Sequence, residues 1–273
     1  MGNNTDGFYK SNEYHTDSNK KASILHRLTP NTRIYFATKL LRVVNIGSRM
    51  AKHGKYDYPQ WIHSSVQAIH LIENCGGKFH ITGINNISET PGPVVFISNH
   101  MSTLETFVFP GIIAQFKKVT FVVKDSLVKH PLFGPLLRAR EPIVVGRTDS
   151  RADFNIVMNE GLQHLNNGTS VVIFPQSTRM PTFDPKLFNT LGVKLAKSAN
   201  VSIIHVAIKT DYWGNGKIVK EFGPLDPKKP IYIEFGKAIQ VKGNGKEEHQ
   251  YIIDFISTHL KKWGGSVQES PAV

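Results

Sequence analysis

The first pair of residues suited to acid–base chemistry is His100 and Glu105, five positions apart in Ser98-Asn99-His100-Met101-Ser102-Thr103-Leu104-Glu105. An imidazole with an ordinary pKa near 6.5 serves as a general base at neutral pH. A carboxylate bonded to one ring nitrogen fixes the tautomer, leaving the other nitrogen to accept a proton. Spacing alone is weak support, because 12 histidines and 21 acids in 273 residues make about one such pair by chance, and His249 with Asp254 is a second. The preceding sequence separates the two pairs. His100 follows the apolar run Val94 to Ser98, which reads as a strand giving way to a helix, so its side chain faces the crevice where ligands of open α/β sheets bind. His249 lies in a charged helical segment with no strand before it and reads as a surface helix residue.

A second strand end adds to the first. Val171-Val172-Ile173-Phe174 runs into Pro175-Gln176-Ser177-Thr178-Arg179. Proline ends the ladder, and the polar turn carries Thr178 and Arg179 beyond the strand's carboxyl end. A guanidinium there clasps a phosphate through paired hydrogen bonds.

The elements that position these groups follow from pattern. Residues 1–28 are a polar lead-in read as disordered, with no apolar period from 1 to 20. Thr29-Pro30 signals a helix start, with Ile34, Ala37, Leu41 and Val44 at helical spacing and Lys39, Arg42 and Arg49 on the opposite face from Leu40 and Val44. A helix over Pro59 to Glu73, stopped at Gly76-Gly77, completes a hairpin, so residues 29–76 read as an amphipathic membrane-association unit. From 77 to 273 short β runs alternate with helical ones, the signature of an α/β domain with a mixed, mainly parallel sheet covered by helices. Strands are expected at 78–82, 94–98, 119–123, 143–145, 170–174, 203–209, 217–222 and 231–235, and helices at 102–116, 151–165, 187–198 and 247–263. Asn215-Gly216 reads as a hairpin turn that gives the sheet an antiparallel pair.

Composition narrows the function classes. The chain carries 33 Lys and Arg against 21 Asp and Glu, for a net charge of +12, which suits nucleic acid, an anionic membrane or a phosphorylated substrate. Nine of the bases, and no acid, fall between Lys20 and Lys55, so the anionic surface is met at that end. No recognition helix, zinc finger or aromatic β-platform is legible, so nucleic acid is not an expected partner. Cys75 is the single cysteine; it forms no internal disulfide, reads as a small buried residue, and fits a reducing compartment. No run reaches the roughly 18 apolar residues of a spanning helix, and MGNNTDGFYKSNEYH lacks a secretory apolar core. A peripheral protein at the cytoplasmic face of a membrane is therefore expected.

Taken in order, these blocks resemble the glycerolipid acyltransferase family typified by 1-acylglycerol-3-phosphate acyltransferase. That family shows Asn-His, four residues, then Asp; Gly-Arg; Phe-Pro-Glu-Gly-Thr-Arg; and an apolar block. Here stand Asn99-His100 with Glu105, Gly146-Arg147, Phe174 to Arg179, and Val201 to Ala207, with a lysine segment at Val123-Lys124-Asp125-Ser126-Leu127. The resemblance covers about residues 78 to 210. It implies that His100 deprotonates an acceptor hydroxyl for attack on an acyl thioester, that Glu105 orients His100, and that Arg179, with Lys124, Arg147 and Thr178, holds the acceptor's phosphate. The acceptor it implies is a lysophospholipid, 1-acylglycerol-3-phosphate first, in phospholipid biosynthesis. The donor is acyl-CoA or acyl carrier protein, and no metal or redox cofactor is implied. Glu105 replaces the family's aspartate, Gln176-Ser177 replaces Glu-Gly, and His205 stands about where the fourth block has proline. Another lysolipid acceptor, or a non-catalytic lipid-binding relative, are the competing readings.

Overall fold

The computed structural model describes residues 11–20, 22, 32–176, 178–216 and 223–268. In chain order the elements are β1 (Glu13–His15), α1 (Thr32–Lys52), α2 (Tyr58–Asn74), β2 (Phe79–Thr82), α3 (Asn85–Glu89), β3 (Val95–Ser98), α4 (Leu104–Ile113), β4 (Val119–Lys124), α5 (Asp125–Lys129) and α6 (Gly134–Arg138). There follow β5 (Ile143–Val145), α7 (Ser150–Asn166), β6 (Ser170–Ile173), β7 (Thr182–Phe183), α8 (Leu191–Ala199), β8 (Ile203–Lys209), β9 (Ile231–Phe235), α9 (Lys246–Lys262) and β10 (Ser266–Val267). The main sheet has the order β1-β2-β9-β8-β3-β6-β4-β5. Its pairs are parallel except β1 with β2 and β8 with β9, so the sheet is mixed and mainly parallel as expected.

Why the strands read as continuous apolar runs is plain from their faces. Alternate residues of a strand point to opposite sides, and helices cover both. Phe96, Val172, Ile204, Val206 and Ile208 share one core with α1, α2 and α4, through Phe36, Ile69, Ile72 and Phe109. Val95, Ile97, Val171, Ile173 and Ala207 share the other with α7, α8 and α9, through Val157, Leu195, Ile252 and Ile256. Buried Cys75 belongs to the first core, and burial pushes its thiol up to about 12.

Several expectations need correcting. The hairpin over 29–76 is not a separate unit. Phe36, Leu40 and Val44 of α1 are 3–4% exposed and packed in the core, and the Phe36 ring meets Trp213 edge-on at 4.7 Å. Tyr212 donates to the Cys75 carbonyl at 3.0 Å, tying the end of α2 to the segment after β8. The lead-in is likewise ordered where described: β1 pairs with β2, because Glu73 draws the segment onto α2. Its buried carboxylate accepts from Tyr14 Oη at 2.7 Å and Thr16 Oγ1 at 2.6 Å, and also from Lys20 and His70. Burial would raise its pKa, but those bonds hold it at about 2. The Thr29-Pro30 start and the strand over 217–222 lie outside the described residues. Among the described residues no helix is long and apolar enough to cross a membrane.

Candidate active site

The residues expected to do chemistry sit at the carboxyl ends of four neighbouring parallel strands. β3, β6, β4 and β5 lie side by side in that order. His100 follows β3, Thr178 and Arg179 follow β6, Lys124 ends β4, and Arg147 follows β5. With strands about 4.8 Å apart, they span on the order of 15 Å along one edge, the place where ligands of such sheets bind.

At the β3 end, Asn99 locks the turn. Its side chain donates to the Ile208 carbonyl and accepts from the Ile208 N–H, both at 2.9 Å, bridging β3 to β8. The chain then turns into α4, and Glu105, in that helix's first turn, folds back under it. Glu105 is fully buried. Its Oε1 lies 2.8 Å from His100 Nδ1 and accepts from the Met101 and Ser102 backbone N–H groups at 2.7 and 2.9 Å. Its Oε2 accepts from Ser102 Oγ at 3.0 Å and Thr210 Oγ1 at 2.7 Å. The longer side chain thus reaches His100 from a helix N-terminus, where the dipole also favours an anion. Burial would raise the Glu105 pKa, but His100, the Ser102 N–H and Thr210 bring it below the ordinary value, so it stays ionised. An ionised carboxylate on Nδ1 puts the proton there and leaves Nε2 to take another. The imidazole stacks on Phe174 at 4.3 Å and 20°.

At the β6 end the turn closes over His100. Gln176 Oε1 accepts from the His100 N–H at 2.9 Å, and the Met180 N–H donates to the His100 carbonyl at 2.9 Å. Arg179 Nη1 donates to Thr103 Oγ1, which brings the guanidinium to the residue before α4. Thr178 is exposed on the turn. Arg147 has φ 60°, a left-handed backbone that non-glycine residues rarely adopt. Asp153 holds it there, accepting from the Gly146 and Arg147 N–H groups at 2.9 and 2.8 Å. Partial desolvation lowers the Arg147 pKa, Asp153 opposes that, and the charge of Arg179 adds to the lowering, so the two guanidiniums share one field. Lys124 is exposed and pairs in register with Val145, two residues before Arg147. His100 and Glu105 are therefore in direct contact, Arg179 is joined to their loop through Thr103, and Lys124 and Arg147 flank them farther along the edge.

Ser102 and Thr210 complete the site without having been singled out for it, while Asn99, Phe174 and Gln176, named only as motif positions, gain contacts here: Asn99 pins the turn, Phe174 stacks on His100 and Gln176 accepts from its N–H. The signal for Thr210 was available, since it directly follows the apolar run 203–209 expected as a strand. His249 does not pair with Asp254: its ring stacks on Phe188 at 5.9 Å, while Asp254 accepts from Gln250. It is half-buried rather than fully at the surface. A shallow concavity lined by Thr90, Lys117 and Asn167 lies at the opposite, amino-terminal edge of the strands. There Lys117 is bonded to the Thr90 and Gly92 carbonyls, so it belongs to the framework and not to this site.

Comparison with known proteins bears on the family and the fold. The family described as Acyltransferase matches residues 78–209. The chain is 30% identical over 171 residues to a 1-acyl-sn-glycerol-3-phosphate acyltransferase of Pseudomonas aeruginosa, covering 62% of each chain. It is 25% identical over 142 residues to the chloroplastic enzyme LPAT1 of Arabidopsis thaliana, covering 52% of this chain and 38% of that one. The chain thus spans less than two thirds of the length of these two relatives. The fold is similar to the crystal structure of the 1-acyl-sn-glycerophosphate acyltransferase PlsC from Thermotoga maritima, with a TM-score of 0.62 at 19% identity, covering 87% of this chain and 95% of that one. Residues 78–209 of the chain thus match the Acyltransferase family, and the order of its motifs and its fold are similar to those of 1-acyl-sn-glycerol-3-phosphate acyltransferases.

Proposed function

We propose that this protein is an O-acyltransferase that moves a fatty acyl group from acyl-CoA or acyl carrier protein to the hydroxyl of a lysophospholipid, 1-acylglycerol-3-phosphate first. The observation that carries the reading is the contact of His100 Nδ1 with the buried Glu105 carboxylate, one loop away from Arg179. His100 Nε2 removes the acceptor's hydroxyl proton as that oxygen attacks the thioester carbonyl. The C–S bond then breaks, and the imidazolium returns the proton to the departing thiolate, giving an ester and a free thiol. Glu105 stays anionic throughout and stabilises the imidazolium. Arg179 clasps the acceptor's phosphate, with Arg147 and Lys124 adding charge. A turnover assay with the purified chain, both donor types and a panel of lysolipids tests this. Fastest ester formation on 1-acylglycerol-3-phosphate is expected; faster reaction on a lyso-aminolipid would change the acceptor, and no ester from any acceptor would leave a lipid-binding relative.

The substrates imply that the protein works peripherally on an anionic lipid surface, at the cytoplasmic face. Since Phe36, Leu40 and Val44 are buried, the outer face of α1 makes this contact. It exposes Lys39, Arg42, Arg49 and Lys52 with Ile34 and Ile46, and the helix holds no acid. Each base contributes on the order of 1 kcal/mol near such a surface, screened over about 8 Å at physiological salt. Sedimentation with anionic vesicles should therefore weaken as salt rises, and binding indifferent to both salt and lipid charge would remove this surface.

A further inference from the structure

We propose that Gln176 is the positioning residue of the general base, acting through its side-chain carbonyl on the backbone of His100. The inference rests on the acyl-transfer reading above and deepens it. β3 ends at Ser98, so the His100 N–H lies past the strand and has no ladder partner to hold it. Gln176 Oε1 supplies the acceptor at 2.9 Å. Gln176 is 1% exposed, and its Nε2, equally buried, has no partner among the described residues. An amide in such a place satisfies one half of its bonding capacity and leaves the other half unpaired, so the position serves the carbonyl.

The division of labour is geometric. Glu105 fixes the imidazole's tautomer and tilt through Nδ1, while Gln176 fixes the main chain from which the ring hangs. The Phe174 ring and the Met180 N–H, on either side of Gln176 in the same turn, complete the hold on the ring and the carbonyl of His100. Arg179 belongs to that turn and bonds Thr103, so the base and the candidate phosphate-binding cation are held as one unit. Small displacements of a reacting group are costly, since about 1 Å can cost on the order of a hundredfold in rate.

Two substitutions of similar size separate the carbonyl's role from packing. Gln176→Met keeps length and bulk but removes the acceptor; Gln176→Glu keeps an acceptor oxygen, ionised or not, and removes the unpaired amide. Full kinetics and melting temperatures are measured for both, beside wild type and His100→Ala. The methionine variant is expected to lose about 10- to 100-fold in kcat with KM for both substrates unchanged. The glutamate variant is expected to recover kcat to within a few-fold of wild type. A methionine variant with wild-type kcat, or a folded glutamate variant as slow as the methionine one, overturns the proposal. Should the methionine variant not fold, the glutamate variant alone decides: near-wild-type kcat supports the carbonyl's role, and a slow, folded protein refutes it. Absence of turnover by wild type would instead overturn the acyl-transfer reading, whereas wild-type turnover in Gln176→Met removes only the positioning role.

Discussion

Glu73 and Glu105 are both fully buried carboxylates, each collecting hydroxyl and imidazole partners, and each is pulled below its ordinary pKa by them. Their surroundings differ. Glu73 ends α2, and its partners Tyr14, Thr16 and Lys20 come from one remote segment, while its histidine, His70, is 48% exposed and lies on the same helix. Glu105 begins α4, most of its partners are its own preceding residues, and its histidine is 13% exposed at a strand end. A buried, well-bonded carboxylate is thus not a catalytic signature in itself. Glu73 directs its bonds to holding the β1 segment against α2, whereas Glu105 directs one of them to the ring that the proposed function makes the general base.

Substituting each carboxylate sharpens that contrast. Glu105→Gln removes the charge that fixes the tautomer and stabilises the imidazolium, and should lower kcat by about a hundredfold or more. Thermal unfolding on the same samples shows whether the fold survives. Equal kcat for glutamine and glutamate at position 105 would make the pair structural, like Glu73.

Glu73→Gln should act on stability and leave kcat per folded molecule near wild type. A carboxylate lowered from 4.5 to about 2 contributes stability that is fully present above its unfolded pKa and is lost as pH falls through the folded one. The contribution is on the order of 3 kcal/mol at neutral pH. Unfolding measured across pH should therefore show wild type and variant furthest apart above about pH 5 and converging toward pH 2. A gap that does not close in acid would contradict the assignment.

Arg179→Lys is a smaller perturbation at the same edge. It keeps the charge and loses the planar fork, so KM for a phosphate-bearing acceptor should rise about tenfold while KM for the thioester holds. Unchanged acceptor KM would move phosphate recognition to Arg147 and Lys124.

How much of this was legible in the sequence depended on whether a local pattern had one physical solution. β5, β8 and β9 have the bounds expected of them, because short apolar runs between turn signals leave little choice. His100 and Glu105 were legible because strand, turn and helix start follow one another within a few residues. The face of α1 was not, since Ile34, Ala37, Leu41 and Val44 and the buried Phe36, Leu40 and Val44 are both helically spaced. Packing partners distant in sequence, the Trp213 ring against Phe36 among them, select between them. β1 is a short polar strand whose order comes from Glu73, again a distant partner. His205, about where the family has proline, lies inside β8 with neither ring nitrogen hydrogen-bonded among the described residues, and burial brings its pKa down to about 4. Gly236 makes room for it, as a Cβ there would lie 2.0 Å from Nε2, a fit no local pattern announces.

The central claim is that the Glu105-bound imidazole of His100 is the general base, and the kcat of His100→Ala measures it most directly. With wild-type and variant protein of equal melting temperature, ester formation from an acyl thioester and 1-acylglycerol-3-phosphate should fall by about a hundredfold to ten-thousandfold. Turnover at the wild-type rate by the folded alanine variant would contradict the account.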